Sequence, residues 1–247
     1  MKRINMFLLI FLLLSSTAFA LTAQEIIDRV DENSIATNQF FNGRMEINKG
    51  KRTLIKEFIG YGQDNEESFF MEFTNTEDVG VKYLKIADEL WIYFPDADDI
   101  MKISGSMLKQ GMMGSDLSYE DMVRMEDLSE KYDVELLEEE EYEGVECYKI
   151  QLTAKPGVKD VTYYREIMWV DKDKFIMRKV ELYAKSGRLL KEMLVKKVIQ
   201  VGKRYFGSKI IIRDKKKKNS ITTMEFTEVK FDVKLPEGIF TREYLKR

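Results

Sequence analysis

Short apolar runs, separated by short turns, recur a dozen or so times along this 247-residue chain. Runs such as FFNGRMEI (40–47), ELWIYFP (89–95) and ITTMEFTEVKFDV (221–233) are rich in β-branched and aromatic residues, which is typical of strands. The short connections predict antiparallel neighbours, because parallel strands need crossovers of a dozen or more residues. We therefore predict a mainly β (α+β) fold, a curved antiparallel half-barrel of about eleven strands.

The predicted sheet has apolar faces that must be covered. In ELWIYFP (89–95) both faces are apolar, so we expect another part of the chain on each side. An N-terminal helix, opened by a capping box at Thr22–Glu25, and the break in the strand pattern at 104–130 are small fillings for such a sheet. A cavity is therefore expected. The sheet residues predicted to line it are Phe69, Met71, Phe73, Leu90, Ile92 and Phe94.

The break in the strand pattern is rich in methionine. Residues 101–125 hold six of the twelve methionines that remain after the first twenty residues, and Ser118–Asp121 forms a second capping box. Methionine adapts to variable apolar partners, so one interpretation is a movable helical lid over the cavity. The other is an ordinary loop with methionine as filler. The lid candidates are Met107, Met112, Met113, Tyr119, Met122 and Met125.

The first twenty residues have the pattern of a secretory signal peptide. Lys2 and Arg3 precede an apolar stretch at 6–14, and Ala18-Phe19-Ala20 is a typical cleavage site. A membrane anchor would need about 20 apolar residues. We expect cleavage near Ala20, a periplasmic mature protein and a single lipid-binding domain over 21–247. Its net charge of about −5 does not favour nucleic acid as a partner.

Residue types that many enzymes require are scarce. The chain has no histidine and one cysteine, which excludes Ser-His-Asp and Cys-His catalysis and an internal disulfide. Cys147 lies in a strand-like run and is expected to be a small buried apolar residue. No phosphate-binding or dinucleotide-binding motif occurs. We predict a non-enzymatic protein with no catalytic residue, no metal site and no cofactor.

Two charged runs have simple structural interpretations. Glu138–Glu141 is expected to be a solvated strand end, since no 12-residue calcium pattern is present. Lys215–Lys218 is expected to be a charged hairpin tip that opposes edge-to-edge aggregation. For this basic run, transient docking onto anionic lipid headgroups is the alternative.

Three segments carry a family resemblance: ELWIYFPDADDIMKISGS (89–106), MGSDLSYEDM (113–122) and WVDKDKFIMRKVELYAKSGRLLKEM (169–193). The C-terminal TTMEFTEVKFDVKLPEGIFTREYLKR (222–247) also fits. In these segments the chain resembles the outer-membrane lipoprotein-sorting family, the LolA-like periplasmic carriers, and within it a longer branch of uncharacterised proteins. The resemblance spans essentially all of 21–247, and MGSD-x-SYED is its most specific part.

The resemblance implies a half-barrel partly closed by helices around a site for acyl chains. It also implies a carrier that moves lipids or lipoproteins towards the outer membrane, with an inner-membrane transporter as a partner. Founding members use an early-strand arginine for lid control, and Arg44 occupies a comparable place. Three alternatives stay open: a lipid-binding sensor, an accessory subunit of a membrane lipid exporter, and a lipid-modifying enzyme.

Overall fold

The computed structural model describes residues 21–34, 37–63, 67–123, 131–158 and 161–247. The predicted signal peptide and Met125 lie outside these residues. Helix α1 spans Ala23–Ser34, and a five-residue helix, α2, spans Tyr119–Val123. The capping box at α1 is confirmed, since the Thr22 amide donates to Glu25 Oε2 at 2.7 Å and the Glu25 amide donates to Thr22 Oγ1 at 3.2 Å. Neither helix is long and apolar enough to span a membrane.

The strands follow the apolar runs that the sequence analysis identified. They are β1 (Asn38–Lys49), β2 (Arg52–Gln63), β3 (Ser68–Phe73), β4 (Lys82–Ile86), β5 (Glu89–Phe94), β6 (Asp99–Ile103), β7 (Tyr132–Tyr142), β8 (Val145–Ala154), β9 (Arg165–Asp171), β10 (Met177–Tyr183), β11 (Leu189–Val201), β12 (Arg204–Asp214) and β13 (Ser220–Phe231).

The described residues form one antiparallel sheet of 13 strands, more than the predicted eleven. Strands β4 and β6, with five residues each, are the shortest of the 13, and both pair with their neighbours. The strand order is β6-β5-β4-β3-β2-β1-β13-β12-β11-β10-β9-β8-β7. Strands β6 and β7 are therefore opposite edges of an open sheet, although they are consecutive in the chain. The connection between them begins with 104–123, which packs on the sheet.

One face of the sheet, called here the inner face, is covered by both α1 and the segment 105–123. A cross-strand row shows that the two covers share a face, since it joins the core under α1 to the core under the segment. The members of this row, paired in register from β8 to β12, are Ile150, Met168, Val180, Met193 and Ile212.

The opposite, outer face is covered over β3 to β5 by the C-terminal segment 235–247. Ile239 and Leu245 from this segment are buried with Phe70, Leu84 and Trp91. On the inner side of the same strands Leu90 and Ile92 are buried. The expectation that both faces of ELWIYFP are covered is therefore confirmed. The prediction for Cys147 is also confirmed, because its side chain is fully buried and burial raises the pKa of its thiol to about 11.

A cavity beneath the segment that crosses the sheet

The segment 105–123 is irregular for most of its length. It contains two 3-10 turns, Gly105–Lys109 and Met112–Gly114, before α2 begins. The backbone is left-handed at Gly105, with φ of 55°, and at Met113, with φ of 50°, which interrupts any regular helix. In the described residues the cover is thus a chain of turns with one short helix, and the predicted helical lid is not confirmed.

Asp116 anchors the middle of this segment to the sheet. Its carboxylate is 1% exposed and accepts hydrogen bonds from Ser220 Oγ at 2.9 Å and Thr222 Oγ1 at 2.8 Å. It also accepts from the Asp214 amide at 3.3 Å, while its own amide donates to Thr222 Oγ1 at 2.8 Å. Burying a carboxylate destabilises the fold unless its oxygens accept hydrogen bonds, and here donors from β12 and β13 supply them.

Asp121 forms a second anchor, at the start of α2. The Ser118–Asp121 capping box is confirmed, with the Ser118 amide donating to Asp121 Oδ2 at 2.7 Å. The buried Lys191 ammonium of β11 pairs with the same carboxylate, and Tyr163 Oη donates to it at 2.6 Å. Burial alone would raise the pKa of Asp121, but the Lys191 charge and these hydrogen bonds outweigh burial and lower the pKa below its usual value.

The two adjacent methionines of this segment are packed against the sheet. Met112 is fully buried, and its amide donates to the Leu117 carbonyl at 2.8 Å. Tyr83 Oη lies 3.3 Å from Met113 Sδ and 3.2 Å from Tyr119 Oη. Burial and the neighbouring Tyr119 raise the pKa of Tyr83, so this phenol stays a neutral hydrogen-bond donor.

A cavity of about 210 Å³, called here the lid-side cavity, lies between the segment and the inner face. Its apolar wall combines methionine thioethers with phenylalanine rings, and three polar side chains join that wall. One of them, Lys85, is 1% exposed and lies in register between Phe69 and Leu90. The lining residues are Gln39, Phe41, Phe69, Met71, Lys85, Met112, Leu117, Asp121, Met122, Phe206, Met224, Phe226 and Val229.

A second cavity of about 280 Å³, the helix-side cavity, extends the first towards the end of α1, where Val30 and Asn33 line it. The two cavities share Gln39, Phe206 and Phe226 as a common wall. The Phe206 and Phe226 rings lie 5.1 Å apart in an edge-to-face arrangement. Changes of rotamer at these three side chains can alter how far the two cavities are separated.

Phe41 closes the lid-side cavity from β1. Its ring stacks on Phe69 with centroids 5.6 Å apart, and it lies directly over Gly60 of the neighbouring strand. A Cβ atom at Gly60 would lie 2.2 Å from the Phe41 ring, so only glycine admits the ring here. Glycine at this position therefore allows the Phe41 ring to take its place in the cavity wall.

The structure places the twelve residues that the sequence predicted for this site in four groups. Phe69, Met71, Met112 and Met122 line the lid-side cavity. Phe94 is 37% exposed and lies away from the cavity, because it is the last residue of β5, where the strand extends beyond the core. Met125 lies outside the described residues. The remaining six, which belong to the core around the cavity, are Phe73, Leu90, Ile92, Met107, Met113 and Tyr119.

Arg44, which occupies an early-strand place comparable to that of the arginine in the founding members, does not face the segment 105–123. Met45 points into the inner core, so its neighbour Arg44 lies on the outer face, where it pairs with Glu46 at 3.1 Å. The anchors Asp116 and Lys191 were not predicted. Asp116 stands in the most specific motif, MGSD-x-SYED, and an aspartate there was the signal that could have revealed an anchor.

The sequence and the fold of the chain are similar to those of known proteins. Residues 65–247 match a family model described as "Uncharacterized protein", whereas no curated protein matches the chain. The chain belongs to this uncharacterised family. Among solved structures, a DUF1329 family protein from Desulfovibrio piger is 25% identical with a TM-score of 0.81, covering 90% of this chain and 97% of that one.

Two further solved structures connect the family to the lipoprotein-sorting fold. A putative outer membrane lipoprotein-sorting protein domain from Vibrio parahaemolyticus is 21% identical, with a TM-score of 0.79 and coverage of 92% of this chain and 98% of that one. A LolA superfamily protein from Nitrosomonas europaea is 23% identical, with a TM-score of 0.72 and coverage of 91% and 100%. The LolA-like resemblance that the sequence indicated is confirmed, and these likenesses establish the fold.

Proposed function

We propose that this protein is a non-enzymatic periplasmic carrier that binds the acyl chains of lipids or lipoproteins and moves them towards the outer membrane. The observation that carries the proposal is the pair of adjoining apolar cavities on the inner face, with volumes of about 210 Å³ and 280 Å³. Ligand sites in proteins are typically clefts of roughly 300–1,000 Å³ that are mostly apolar and contain a few polar groups.

The chemistry of the walls suits an acyl chain. Burying one methylene group contributes about 0.8 kcal/mol, so a long chain is strongly driven into such a space. Methionine side chains have several rotatable bonds and fit chains of different length. Gln39, Lys85 and Asp121 offer hydrogen-bonding partners for the polar end of the ligand, while the rest of the wall stays apolar.

A carrier must also release its cargo. The cover of the lid-side cavity is fixed by polar anchors, Asp116 and Asp121 among them, in addition to the apolar contacts of Met112 and Tyr119 with the core. Such a cover can exchange between closed and open states that differ by a few kcal/mol. The movable-lid interpretation of this segment is part of the proposal.

Native mass spectrometry of the chain 21–247, followed by organic extraction, tests the proposal. We expect extracted lipid and binding of a fluorescent fatty-acid probe. Val229→Phe fills the lid-side cavity and is expected to weaken probe binding by about tenfold or more, because one added group in an apolar cavity is worth roughly 1–3 kcal/mol.

The matched control for this variant is Val79→Phe, the same substitution at a side chain that is 60% exposed. It should bind the probe like the unmodified chain. A chain that carries no lipid and fails to bind the probe would show that the proposed function is wrong. Equal probe binding by Val229→Phe and Val79→Phe would show that acyl chains bind elsewhere.

A further inference from the structure

Three hairpin tips lie side by side at one end of the sheet. They connect β10 to β11, β12 to β13, and β1 to β2, and these strands are neighbours in the sheet order. Backbone hydrogen bonds join the tips: the Lys215 amide donates to the Leu190 carbonyl at 2.8 Å, and the Gly50 amide donates to the Asn219 carbonyl at 2.9 Å. Side chains from all three tips therefore form one continuous surface.

This surface is strongly basic although the chain as a whole is acidic. The stretches 49–52, 185–188 and 214–218 contain nine basic residues and one acidic residue, Asp214, which is buried. Glu192 faces the tips from β11 and pairs with Lys215 at 3.2 Å and Arg213 at 2.9 Å. The basic residues, called here the basic tips, are Lys49, Lys51, Arg52, Lys185, Arg188, Lys215, Lys216, Lys217 and Lys218.

Exposed apolar side chains accompany the charge. Ile221, the second residue of β13, is 36% exposed, and Ile55, the fourth residue of β2, is 49% exposed. Flexible lysines next to exposed aliphatic side chains suit a lipid bilayer, whose headgroups are anionic and whose interior is apolar.

Two residues of the basic tips, Lys49 and Lys217, contact the loop 111–118, which covers the lid-side cavity. The Lys217 ammonium donates to the Ser115 carbonyl, and a Cβ atom at Gly111 would lie 2.7 Å from Lys217 Nζ. A Cβ atom at Gly114 would likewise lie 2.7 Å from Lys49 Nζ. Burial lowers the pKa of Lys217, while the Asp116 and Asp214 carboxylates act in the opposite direction. Met112 and Leu117, which line the cavity, belong to this loop.

We propose that the basic tips form a docking face for an anionic phospholipid bilayer, and that headgroup phosphates draw Lys49 and Lys217 away from the loop and open the lid-side cavity. The docking face goes beyond the proposed function, whereas the opening of the loop rests on it. A bilayer fits this face because the exposed lysines Lys215, Lys216 and Lys218 and the exposed isoleucines meet at this end of the sheet.

Sedimentation with protein-free vesicles tests the docking face. The chain 21–247 is expected to bind phosphatidylcholine vesicles that contain phosphatidylglycerol, to ignore phosphatidylcholine alone, and to bind more weakly as salt increases. The double variant Lys216→Glu/Lys218→Glu should reduce the partition coefficient by about 30-fold or more. Lys203→Glu/Lys234→Glu changes the charge equally at the opposite end of the sheet and should retain binding.

Three results would overturn the docking face: no vesicle binding by the unmodified chain, equal binding to both kinds of vesicle, or equal losses in the two double variants. The first result would leave a protein partner as the occupant of the basic tips. Vesicle binding without acyl-probe binding would retain the docking face and refute the carrier function. Probe binding without vesicle binding would retain the carrier function and refute the docking face.

Release of the fluorescent fatty-acid probe tests the opening of the loop. Vesicles that contain phosphatidylglycerol should accelerate release, and Lys217→Met, which retains the aliphatic stem without the charge, should release the probe faster even without vesicles. Equal release rates with both kinds of vesicle would refute the coupling. Release from Lys217→Met at the unmodified rate would show that the Ser115 contact does not hold the loop.

Discussion

Helix α1 and the segment 105–123 both cover the inner face of the sheet, but they pack against it differently. Ile26 and Ile27 of α1 are buried in a core that includes Ile150, Leu152 and Met168. The segment 105–123 also buries Met112 and Tyr119 in a core, but it adds the polar anchors Asp116 and Asp121, and the lid-side cavity lies beneath it. A regular helix repeats its apolar side chains every three to four residues and interdigitates with a sheet, whereas a chain of turns cannot fill space in this way.

The contrast separates two tasks within one sheet. The first half of α1, where Ile26 and Ile27 are buried, provides stability through dense packing, while its end at Val30 and Asn33 borders the helix-side cavity. The part under the segment 105–123 retains the lid-side cavity beside its buried core, and its polar anchors hold the cover in place. Substitutions in the first region should therefore change the free energy of unfolding most, and substitutions in the second should change binding and local opening.

The largest expected effect is in the core under α1. Ile26→Ala should lower the free energy of unfolding by about 2–5 kcal/mol, since it leaves a void in a fully buried position. Met122 is half-buried beside an existing cavity, so Met122→Ala should lower the free energy of unfolding by less than about half as much. Urea denaturation of both variants measures the difference, and equal losses would show that the two regions are packed alike.

An intermediate effect is expected at the Asp116 anchor. Asp116→Ala leaves two buried hydroxyls and the Asp214 amide without their acceptor, and should cost about 2–3 kcal/mol. Amide hydrogen exchange in 111–118 should rise more than exchange in α1. Asp96→Ala, at an exposed aspartate, is the control and should change stability by less than about 0.5 kcal/mol. Unchanged exchange in the loop would argue against an anchor.

The smallest effect is expected at the Asp121 anchor and depends on pH. The pKa of Asp121 is lowered in the folded protein, so its contribution is fully present above the unfolded value of about 3.9 and is lost as pH falls through the folded value. Asp121→Asn should therefore be less stable than the unmodified chain by roughly 1–2 kcal/mol at pH 7. The difference should shrink towards pH 3, and a difference that is constant with pH would contradict the ion pair with Lys191.

Local features of the molecule were largely predictable from the sequence. Both capping boxes, the turns between strands and the double coverage of ELWIYFP follow from interactions over a few residues. The number of strands was underestimated, at about eleven against the 13 of the sheet. Phe94 was placed in the site because alternation alone does not reveal where a core ends.

The site itself depended on distant contacts. Asp116 binds side chains 104 and 106 residues away in β13, and Lys191 lies 70 residues from Asp121. The periodicity of a sequence does not record such partners. For the same reason the early-strand position of Arg44 did not reveal which face of the sheet its side chain occupies.

By itself, the sequence determined an antiparallel, mainly β protein with an apolar inner face and a methionine-rich break in its strand pattern. These properties follow from side-chain alternation and turn chemistry, which act locally. Only the tertiary structure decided that β6 and β7 are opposite edges and that 105–123, which follows β6, lies over the inner face. The pairing of β1 with β13, between residues far apart in the chain, places this segment over the cavity and the basic tips beside it.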